Sequence, residues 1–361
     1  MSQVNWKVLG LDHAIWPPIP YDGEEDRLSQ KNLSPFDQQT TRKGKPLNWW
    51  QRHWMGTDQL GRDLFARLIR GTRTSLLVGI MAMAIATFIG VLLGGLAGYF
   101  ASNRREISRM QWWGILLGSF LGGYYAFMFR RYALWDAVQG KAFLIGELAF
   151  SFILLLLCIW LGGFVGKKLS HFQWFGKKIQ LPFDAVVMRV IEVMNSIPRL
   201  LLILAVAAAF KERSVWLVMG IIGLLGWTNI ARYIRAEMLA VSQMEYVEAA
   251  RALGFSEWRI LMRHALPNAF PPILVLITLG IGGAILAESG LSFLSLVDRS
   301  SSWGGALAAA RGGEFSHWWI LFFPAMFIVL TVISLNLLGE HLRDIFDPRD
   351  QGGSEKTLPR L

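Results

Sequence analysis

Cysteine is almost absent from this chain of 361 residues, and the motifs of common catalytic sites are missing as well. The one cysteine, Cys158, lies in an apolar run and is interpreted as a packing residue, so neither a disulfide nor a cysteine metal site can form within one chain. The six histidines are scattered, without the H-E-x-x-H spacing of a zinc site, and no G-x-S-x-G nucleophile elbow occurs. We therefore predict no catalytic residue, no metal and no cofactor.

The phosphate-binding loop of ATPases is also missing from the sequence. The motif G-x-x-x-x-G-K-[ST] does not occur, because the Gly-Lys pairs at 44, 140, 166 and 176 lack both the upstream glycine and the following Ser or Thr. The chain is therefore not expected to hydrolyse ATP itself. Its beginning shows no basic region followed by an apolar stretch, so no cleavable signal peptide is predicted.

Charged residues are few, at 17%, whereas hydrophobic residues make up 53% and the mean hydropathy is +0.38. This composition excludes an ordinary soluble protein. The net charge of +10 could indicate nucleic-acid binding, but the basic residues lie in short loops between apolar runs, which membrane topology explains. We predict an all-α, polytopic transmembrane helix bundle that lies in a lipid bilayer and binds no nucleic acid. About seven runs are long enough to cross, at 74–103, 111–129, 142–166, 184–210, 214–231, 269–296 and 317–339.

A polar island at residues 245–268 lies between two apolar runs and is the most informative segment of the chain. Its residues predict a helix up to Leu253, a sharp turn at Gly254, an N-cap at Ser256 and a second short helix that Pro267 ends. Arginines within and just before the island place it in the cytoplasm by the positive-inside rule, and they are Arg232, Arg235, Arg251, Arg259 and Arg263. A solvated loop that happens to be helical is the alternative interpretation.

The island resembles the cytoplasmic EAA loop in the membrane permease subunits of ABC importers. The resemblance is carried by Glu248, Ala249 and Ala250, by Gly254, and by Leu266 followed by Pro267. In that family the loop docks into a groove on the ATPase subunit and passes the closing motion of ATP binding to the membrane helices. His264 stands where the consensus has isoleucine, which is a departure, although Arg-His-x-Leu-Pro-Asn is similar to the branch that imports peptides and nickel.

A second motif of the same branch, G-T-D-x-x-G-R-D, is formed by Gly56, Thr57, Asp58, Gly61, Arg62 and Asp63. The resemblance implies a position on the outer face, ahead of a membrane helix. Apolar residues then recur at helical spacing between 60 and 69, with Arg62, Arg67 and Arg70 on the other side, so we expect a helix that lies along the membrane interface. A surface amphipathic turn is the simpler alternative.

The first membrane run carries glycines at 90, 94 and 98, a smooth stripe that favours close helix packing over a ligand role. The family pattern then continues only near residue 182, so residues 111–180 are interpreted as an inserted helical hairpin. Its connecting residues Arg130, Arg131 and Lys141 would face outward, against the positive-inside rule. We expect the hairpin to be a peripheral packing element.

Four ionisable residues in the membrane runs are candidate functional residues, because charge is costly to expose to lipid. Asp184, Arg189 and Glu192 lie in a segment that resembles the family's D-x-x-x-M-R-x-x-D-x-x-x-S-I-P-x-L-L-L, with Glu192 in place of Asp. We expect them near the cytoplasmic end, paired or against a neighbouring subunit, and a kink at Pro198 where the helix enters the membrane. Glu288 lies in a stretch similar to the family's A-E-x-x-L-S-F-L-G-L. The alternative to a functional role is a buried glutamate that a helix end or a partner satisfies, and both interpretations stay open.

The sequence divides into five parts by these patterns. They are an extracytoplasmic segment with the interfacial helix at 1–70, a first core transmembrane helix at 71–110, the inserted hairpin at 111–180, the permease core at 181–350 with its EAA loop at 242–268, and a cytoplasmic tail at 351–361. The resemblance covers about 46–110 and 181–350. The family usually opens with a further membrane helix, so either the N-terminus lies outside or a first helix precedes this start.

The resemblance implies a permease subunit of an ABC importer of type I, for di- or oligopeptides or a related solute such as nickel, in a bacterial or archaeal cytoplasmic membrane. Its partners would be a second permease subunit, two ABC ATPase subunits and an extracytoplasmic solute-binding protein. The alternative is a stand-alone secondary transporter or channel, with Glu147 and Glu288 as ion-coupling residues. An intramembrane enzyme, the third class, lacks any paired catalytic motif.

Overall fold

A computed structural model describes residues 21–24, 26, 28–40, 46, 49, 52–102, 106–138, 144–170, 178–180, 183–209, 214–297, 302–311 and 315–346. The predicted tail at 351–361, and residues 1–20 of the predicted extracytoplasmic segment, lie outside this part of the chain. In the described residues the chain is a helix bundle, which confirms the predicted all-α class, apart from one short two-stranded ribbon.

The helices follow one another along the chain with few interruptions. They are α1 (Leu64–Ser102), α2 (Arg109–Gly123), α3 (Arg131–Val138), α4 (Leu144–Leu169), α5 (Phe183–Asn195), α6 (Arg199–Ala209), α7 (Val215–Val241), α8 (Glu245–Ala252), α9 (Glu257–Ile260), α10 (Leu266–Ala269), α11 (Pro271–Phe293), α12 (Trp303–Ala308) and α13 (Trp319–Phe346). Two π-helical turns, Tyr124–Phe129 and Leu261–Ala265, continue α2 and α9. The ribbon pairs β1 (Glu106–Ser108) with β2 (Lys178–Gln180) in antiparallel register.

Five of the described helices are long and apolar enough to cross a membrane, and the number is six if the bent pair α5 and α6 forms one span. The sequence predicts about seven. The difference is the run 111–129, which the structure divides between α2, of 15 residues, and the π-helical turn after it. The two pieces are continuous in the chain, and only together, over 109–129, do they reach the roughly 20 residues that a transmembrane helix needs.

The bundle is organised around the packing of α1 against α7. The glycines at 90, 94 and 98 on α1 face α7 so closely that an added Cβ would meet, in that order, Ile230, Ala231 and Arg235. Because the contacts advance in the same direction on both helices, α1 and α7 run parallel. The predicted packing role of this stripe therefore agrees with the structure, since small residues let helix backbones approach in a membrane.

The bundle has two ends, and the remaining long helices run between them. The end that carries residues 242–268 is called the loop end, and the opposite end, where α1 begins and α11 stops, is called the cap end. Gly79 lies against Ile285 and Gly280 against Met83, so α11 runs antiparallel to α1. Gly339 lies against Thr278 and Gly282 against Val332, so α11 also runs antiparallel to α13. Four buried apolar clusters fill the space between these helices.

The predicted interfacial helix is not a separate element. Helix α1 begins at Leu64 and continues without a break to Ser102, and Arg67, which the spacing places on an exposed face, is buried. The reason is that the segment before it folds back over the start of α1. Asp58 accepts a hydrogen bond from Arg67 Nη1 at 2.9 Å, and Gly305 accepts one from Nη2 at 3.0 Å.

The inserted hairpin packs α2 against α4 through glycines. A Cβ at Gly114 would lie 2.2 Å from the carbonyl oxygen of Gly162, so these backbones touch directly. Far from the ribbon, Arg130 forms an ion pair with Glu147, donates to Ser151 Oγ at 3.0 Å and covers the Phe150 ring. Arg130 is therefore neutralised within the hairpin, which accounts for one of the basic residues that oppose the positive-inside rule.

Candidate functional site

The predicted coupling loop forms a helix, a turn and a second helical stretch at the loop end. Helix α8 ends before Gly254, whose φ of 78° lies in the left-handed region that glycine tolerates. The Gly254 N–H donates to the Arg251 carbonyl at 2.9 Å and the Phe255 N–H to the Ala250 carbonyl at 3.2 Å, which closes the turn. Ser256 caps α9 as predicted, since its side chain accepts from the Arg259 N–H.

The interpretation of Pro267 as a helix stop is wrong. The chain stays helical from α9 through the π-helical turn and α10, with Pro267 in the first turn of α10. A proline in a regular helix lacks its N–H and clashes with the carbonyl four residues earlier. The wider turn at Leu261–Ala265 supplies the extra room, so the helix changes register at the proline without ending there.

The motif residues of the loop point in two directions. Glu248 and Ala249 are exposed, whereas Ala250 is buried in the bundle core with Val247. His264 stacks on Phe255 with ring centroids 6.0 Å apart, and its carbonyl accepts from Asn268 Nδ2 at 2.7 Å. Leu266 is half-buried and packs against the core, whereas Pro267 is exposed.

Large apolar side chains remain exposed beside these motif residues. Leu253 is 75% exposed and Trp258 is 61% exposed, and Met262 is also exposed on the same stretch. Exposed apolar patches next to polar residues are typical of protein interaction surfaces. This surface, formed by Leu253, Trp258 and Met262, is called the docking surface below.

A side chain from α1 fixes the loop to the bundle. Tyr99 is fully buried and its hydroxyl donates to Glu257 Oε2 at 2.5 Å. The guanidinium of Arg251 lies 5.8 Å from the centre of the Tyr99 ring, and its Nε is 3.7 Å from Glu257 Oε1. This joint cannot be read from the sequence, because the partners are 158 positions apart and nothing in the motif marks Tyr99.

The signature residues at 56–63 build the cap end of the bundle. Asp58 accepts from the backbone N–H groups of Leu60 and Arg62 at 2.9 and 3.0 Å, and Asp63 accepts from Ala66 N–H at 2.7 Å, which caps α1. Gly56 and Gly61 adopt positive φ angles at the turns between them. Asp63 also contacts the buried His53, whose Nδ1 lies 2.8 Å away.

Two tryptophans connect the signature to the last helices. Trp319 is buried and donates from Nε1 to the Thr57 carbonyl at 3.2 Å. Trp303 donates from Nε1 to the Leu68 carbonyl at 2.9 Å. The cap end is therefore a closed hydrogen-bonded assembly of α1, α12 and α13.

The charged residues of α5 lie on different sides of that helix. Asp184 forms an ion pair with Arg235 of α7, with Arg235 Nη2 2.7 Å from Asp184 Oδ2. Arg189 and Glu192 are exposed and pair with each other at 2.9 Å. Asp184 thus stands apart from the other two, at the loop end of the bundle.

Pro198 separates α5 from α6 with a bend of 79°. The predicted kink is present, but it lies deeper than expected. Asn195, just before the break, accepts a hydrogen bond from Thr228 Oγ1 at 3.2 Å, and Thr228 is at the centre of α7. The break therefore falls near the middle of the bundle and not where the chain enters it.

Glu288 is completely buried between α11 and α12. Its Oε1 accepts from Ser292 Oγ at 2.6 Å and from Ser302 Oγ at 2.8 Å. In the described part of the chain Oε2 has no hydrogen-bond partner. The two serine contacts favour a structural role that ties α12 to α11. Glu147, the other residue of the secondary-transporter alternative, is paired with Arg130 in the hairpin.

Comparison with known proteins decides the family. The family described as binding-protein-dependent transport system inner membrane component matches residues 173–350. The probable D,D-dipeptide transport system permease protein of Escherichia coli is 31% identical over 302 residues, which cover 83% of this chain and 74% of that protein. The chain belongs to this family of ABC importer permeases.

Other relatives of this permease carry similar names. The dipeptide transport system permease protein of Bacillus subtilis is 31% identical over 303 residues, 82% of this chain and 69% of that protein. The glutathione transport system permease protein of Pectobacterium atrosepticum is 28% identical over 344 residues, 93% of this chain and 82% of that protein. The permease is thus a multi-pass component of a bacterial inner membrane.

Within the permease the candidate residues form separate groups. The coupling-loop residues and Asp184 lie at the loop end, and the signature residues and Glu288 lie at the cap end. Between the two lies the α5–α6 break, where the sequence analysis assigned no site residue. Helix α1 joins the two ends, because Tyr99 attaches the loop and Arg67 attaches the cap to the same helix.

Proposed function

We propose that the chain is the permease subunit of an ATP-driven importer for di- or oligopeptides, and that it forms half of the translocation pathway with a second permease subunit. The peptide class is supported by relatives named for dipeptides, D,D-dipeptides and glutathione. Nickel is the further solute that the sequence resemblance implies. A solute-binding protein would deliver the solute to the cap end.

The loop at 242–268 would couple this subunit to two ATPase subunits. The observation that carries the proposal is the docking surface on a rigid base. Leu253 and Trp258 are exposed on one side of the loop, while Val247 and Ile260 are fully buried on the other. A push on the docking surface would therefore move the helices behind it, since packed interiors transmit displacement.

The Tyr99 joint gives this coupling a defined route. Glu257 is on the loop and Tyr99 is on α1, so a displacement of α9 pulls on the helix that reaches the cap end. Helix α7 receives the same displacement through Met238 and Val241, which are buried in one cluster with Val247. Parallel helices α1 and α7 would then move together.

Two substitutions in the loop test the proposal in the reconstituted complex. Gly254→Pro cannot adopt a φ of 78°, because proline fixes φ near −65°, and Glu248→Arg reverses an exposed charge beside the docking surface. We expect both variants to insert into the membrane and to abolish peptide uptake. Glu340→Arg, an exposed charge reversal in the last turns of α13, is the matched control and should transport normally.

Uptake and ATPase binding are measured separately in this experiment. Radiolabelled peptide and nickel uptake into proteoliposomes reports transport, and co-purification of the ATPase subunit reports docking. Wild-type uptake by both loop variants would contradict the docking role. Uptake by the wild-type chain without any ATPase subunit would instead support the secondary-transporter alternative.

A further inference from the structure

One arginine lies at the break between α5 and α6, in the middle of the bundle. Arg199 is the first residue of α6, and its Nη2 lies 3.0 Å from the position that a Cβ on Gly226 would occupy. The same Cβ position is 3.3 Å from Ala86 of α1. Gly226 and Ala86 both lie near the centres of their helices, so the guanidinium is at mid-membrane depth.

The surroundings of Arg199 are not those of a lipid-facing residue. Residues 197–201 are exposed in the isolated chain, and they include the non-helical backbone between the two helices. Non-helical backbone at membrane depth occurs only where it is buried in protein or lines a water-filled cavity. A charged arginine in lipid is also costly. Both features therefore exclude a lipid-facing position, which leaves the translocation pathway or the interface with the second permease subunit.

Arg199 also differs from the arginines that are paired inside the bundle, because the described residues offer it no ion-pair partner. Arg67 pairs with Asp58, Arg130 with Glu147 and Arg235 with Asp184, so these charges are satisfied within the chain. Among the residues that the structure describes, no carboxylate pairs with Arg199 and no side chain accepts a hydrogen bond from it. Its guanidinium keeps its planar set of donors available for an anion.

We propose that Arg199 binds the carboxylate of the transported solute as it passes the α5–α6 break. This inference rests on the proposed peptide-import function and names the group of the peptide that the permease recognises. A guanidinium and a carboxylate match in bidentate geometry. The N-terminus of α6 adds to the attraction, because discontinuous transmembrane helices direct their half-helix N-termini at anionic substrate groups.

The test compares two solutes that differ only in this carboxylate. Proteoliposomes that contain the complete complex are supplied with alanylphenylalanine or with its C-terminal amide, and ATP-dependent uptake of each is measured. The ratio of acid uptake to amide uptake is then compared between the wild type and Arg199→Gln. Because the same solute-binding protein serves both complexes, its own preference cancels in this comparison.

We expect Arg199→Gln to lower the acid-to-amide ratio about ten-fold or more, which is the range for a lost hydrogen bond to a charged group. Arg199→Lys keeps the charge and should retain most of the ratio. Arg73→Gln, which removes an exposed arginine near the cap end of α1, is the matched control and should leave the ratio unchanged.

Other outcomes overturn the inference in recognisable ways. An equal loss of acid and amide uptake in Arg199→Gln would assign the guanidinium to a carboxylate of the second permease subunit. An unchanged ratio with wild-type uptake of both solutes would show that the residue does not contact the solute. If Arg199→Gln fails to co-purify with the ATPase, Arg199→Met is measured in its place, and failure of both would assign a structural role. The absence of any ATP-dependent uptake by the wild type would contradict the proposed function instead.

Discussion

Replacing Gly94 with alanine is expected to separate α1 from α7 at the centre of the bundle. A Cβ at Gly94 would lie 2.2 Å from the carbonyl oxygen of Ala231 and 2.6 Å from its Cα, both of which are backbone atoms that cannot rotate away. The neighbouring Gly95 is the matched control. A Cβ there would lie 3.8 Å from Leu266 Cδ1, which is an ordinary van der Waals contact.

The magnitude follows from these two distances. Carbon atoms in contact prefer about 3.5–4.0 Å, so the alanine at position 94 requires a movement of the helices by about 1 Å. Overpacking of this kind costs about 1–3 kcal/mol. Alanine in place of glycine favours the helix by about 1 kcal/mol at both positions. That gain cancels in the comparison, so Gly94→Ala should be about 1–3 kcal/mol less stable than Gly95→Ala.

Thermal unfolding of the purified, detergent-solubilised chain measures this difference. Size-exclusion chromatography after heating gives the midpoint at which half of the protein remains monodisperse. One kcal/mol corresponds to about 2–4 °C in proteins of 150–250 residues and to about 1 °C in a chain of this length, so the Gly94→Ala midpoint should fall about 1–4 °C below that of Gly95→Ala. Equal midpoints for the two variants would refute the close parallel packing of α1 and α7.

Three other substitutions test contacts described above. Tyr99→Phe removes the hydroxyl that donates to Glu257 and should weaken the attachment of the loop to α1 by about 1–3 kcal/mol. We then expect fewer peptides to be transported for each ATP hydrolysed, while ATPase activity persists. Asp184→Asn leaves Arg235 without its carboxylate and should lower stability by about 1–3 kcal/mol, and adding Arg235→Gln should recover part of the loss in a double-mutant cycle. Arg67→Met removes one of the guanidinium groups that pair with the buried Asp58, and we expect the free energy of unfolding to fall by about 2 kcal/mol or more. An unchanged midpoint of thermal unfolding would contradict the role of Arg67 at the cap end.

Local features of the chain could be predicted because their causes are local. A glycine after α8 and a serine before α9 are sufficient to indicate the turn and the cap of the coupling loop. The glycine stripe of α1 likewise indicates close packing without naming the partner. The prediction that Pro267 ends the helix is wrong because the effect of this proline depends on the turn before it. A π-helical turn accommodates the proline, and no residue type in that stretch signals such a turn.

Contacts between distant positions could not be read in the same way. Helical spacing places Arg67 on a polar face, yet the folded-back segment before α1 buries that face through Asp58. The pairing of Asp184 with Arg235 and the joint between Tyr99 and Glu257 depend on which helices become neighbours. Arg199 occupies a variable position of its motif, so only its placement at the helix break indicates a role.

The ribbon at the base of the inserted hairpin has a consequence for the architecture of the chain. Because Glu106 pairs with Gln180, the insertion leaves and re-enters the permease core at neighbouring points. A tight reverse turn of two residues could join these positions directly, and the path of the core from α1 to α5 would be preserved. The hairpin is thus joined to the core at a single place, and a shortened chain without it would keep the pairing of Asp184 with Arg235 and the contact of Tyr99 with Glu257.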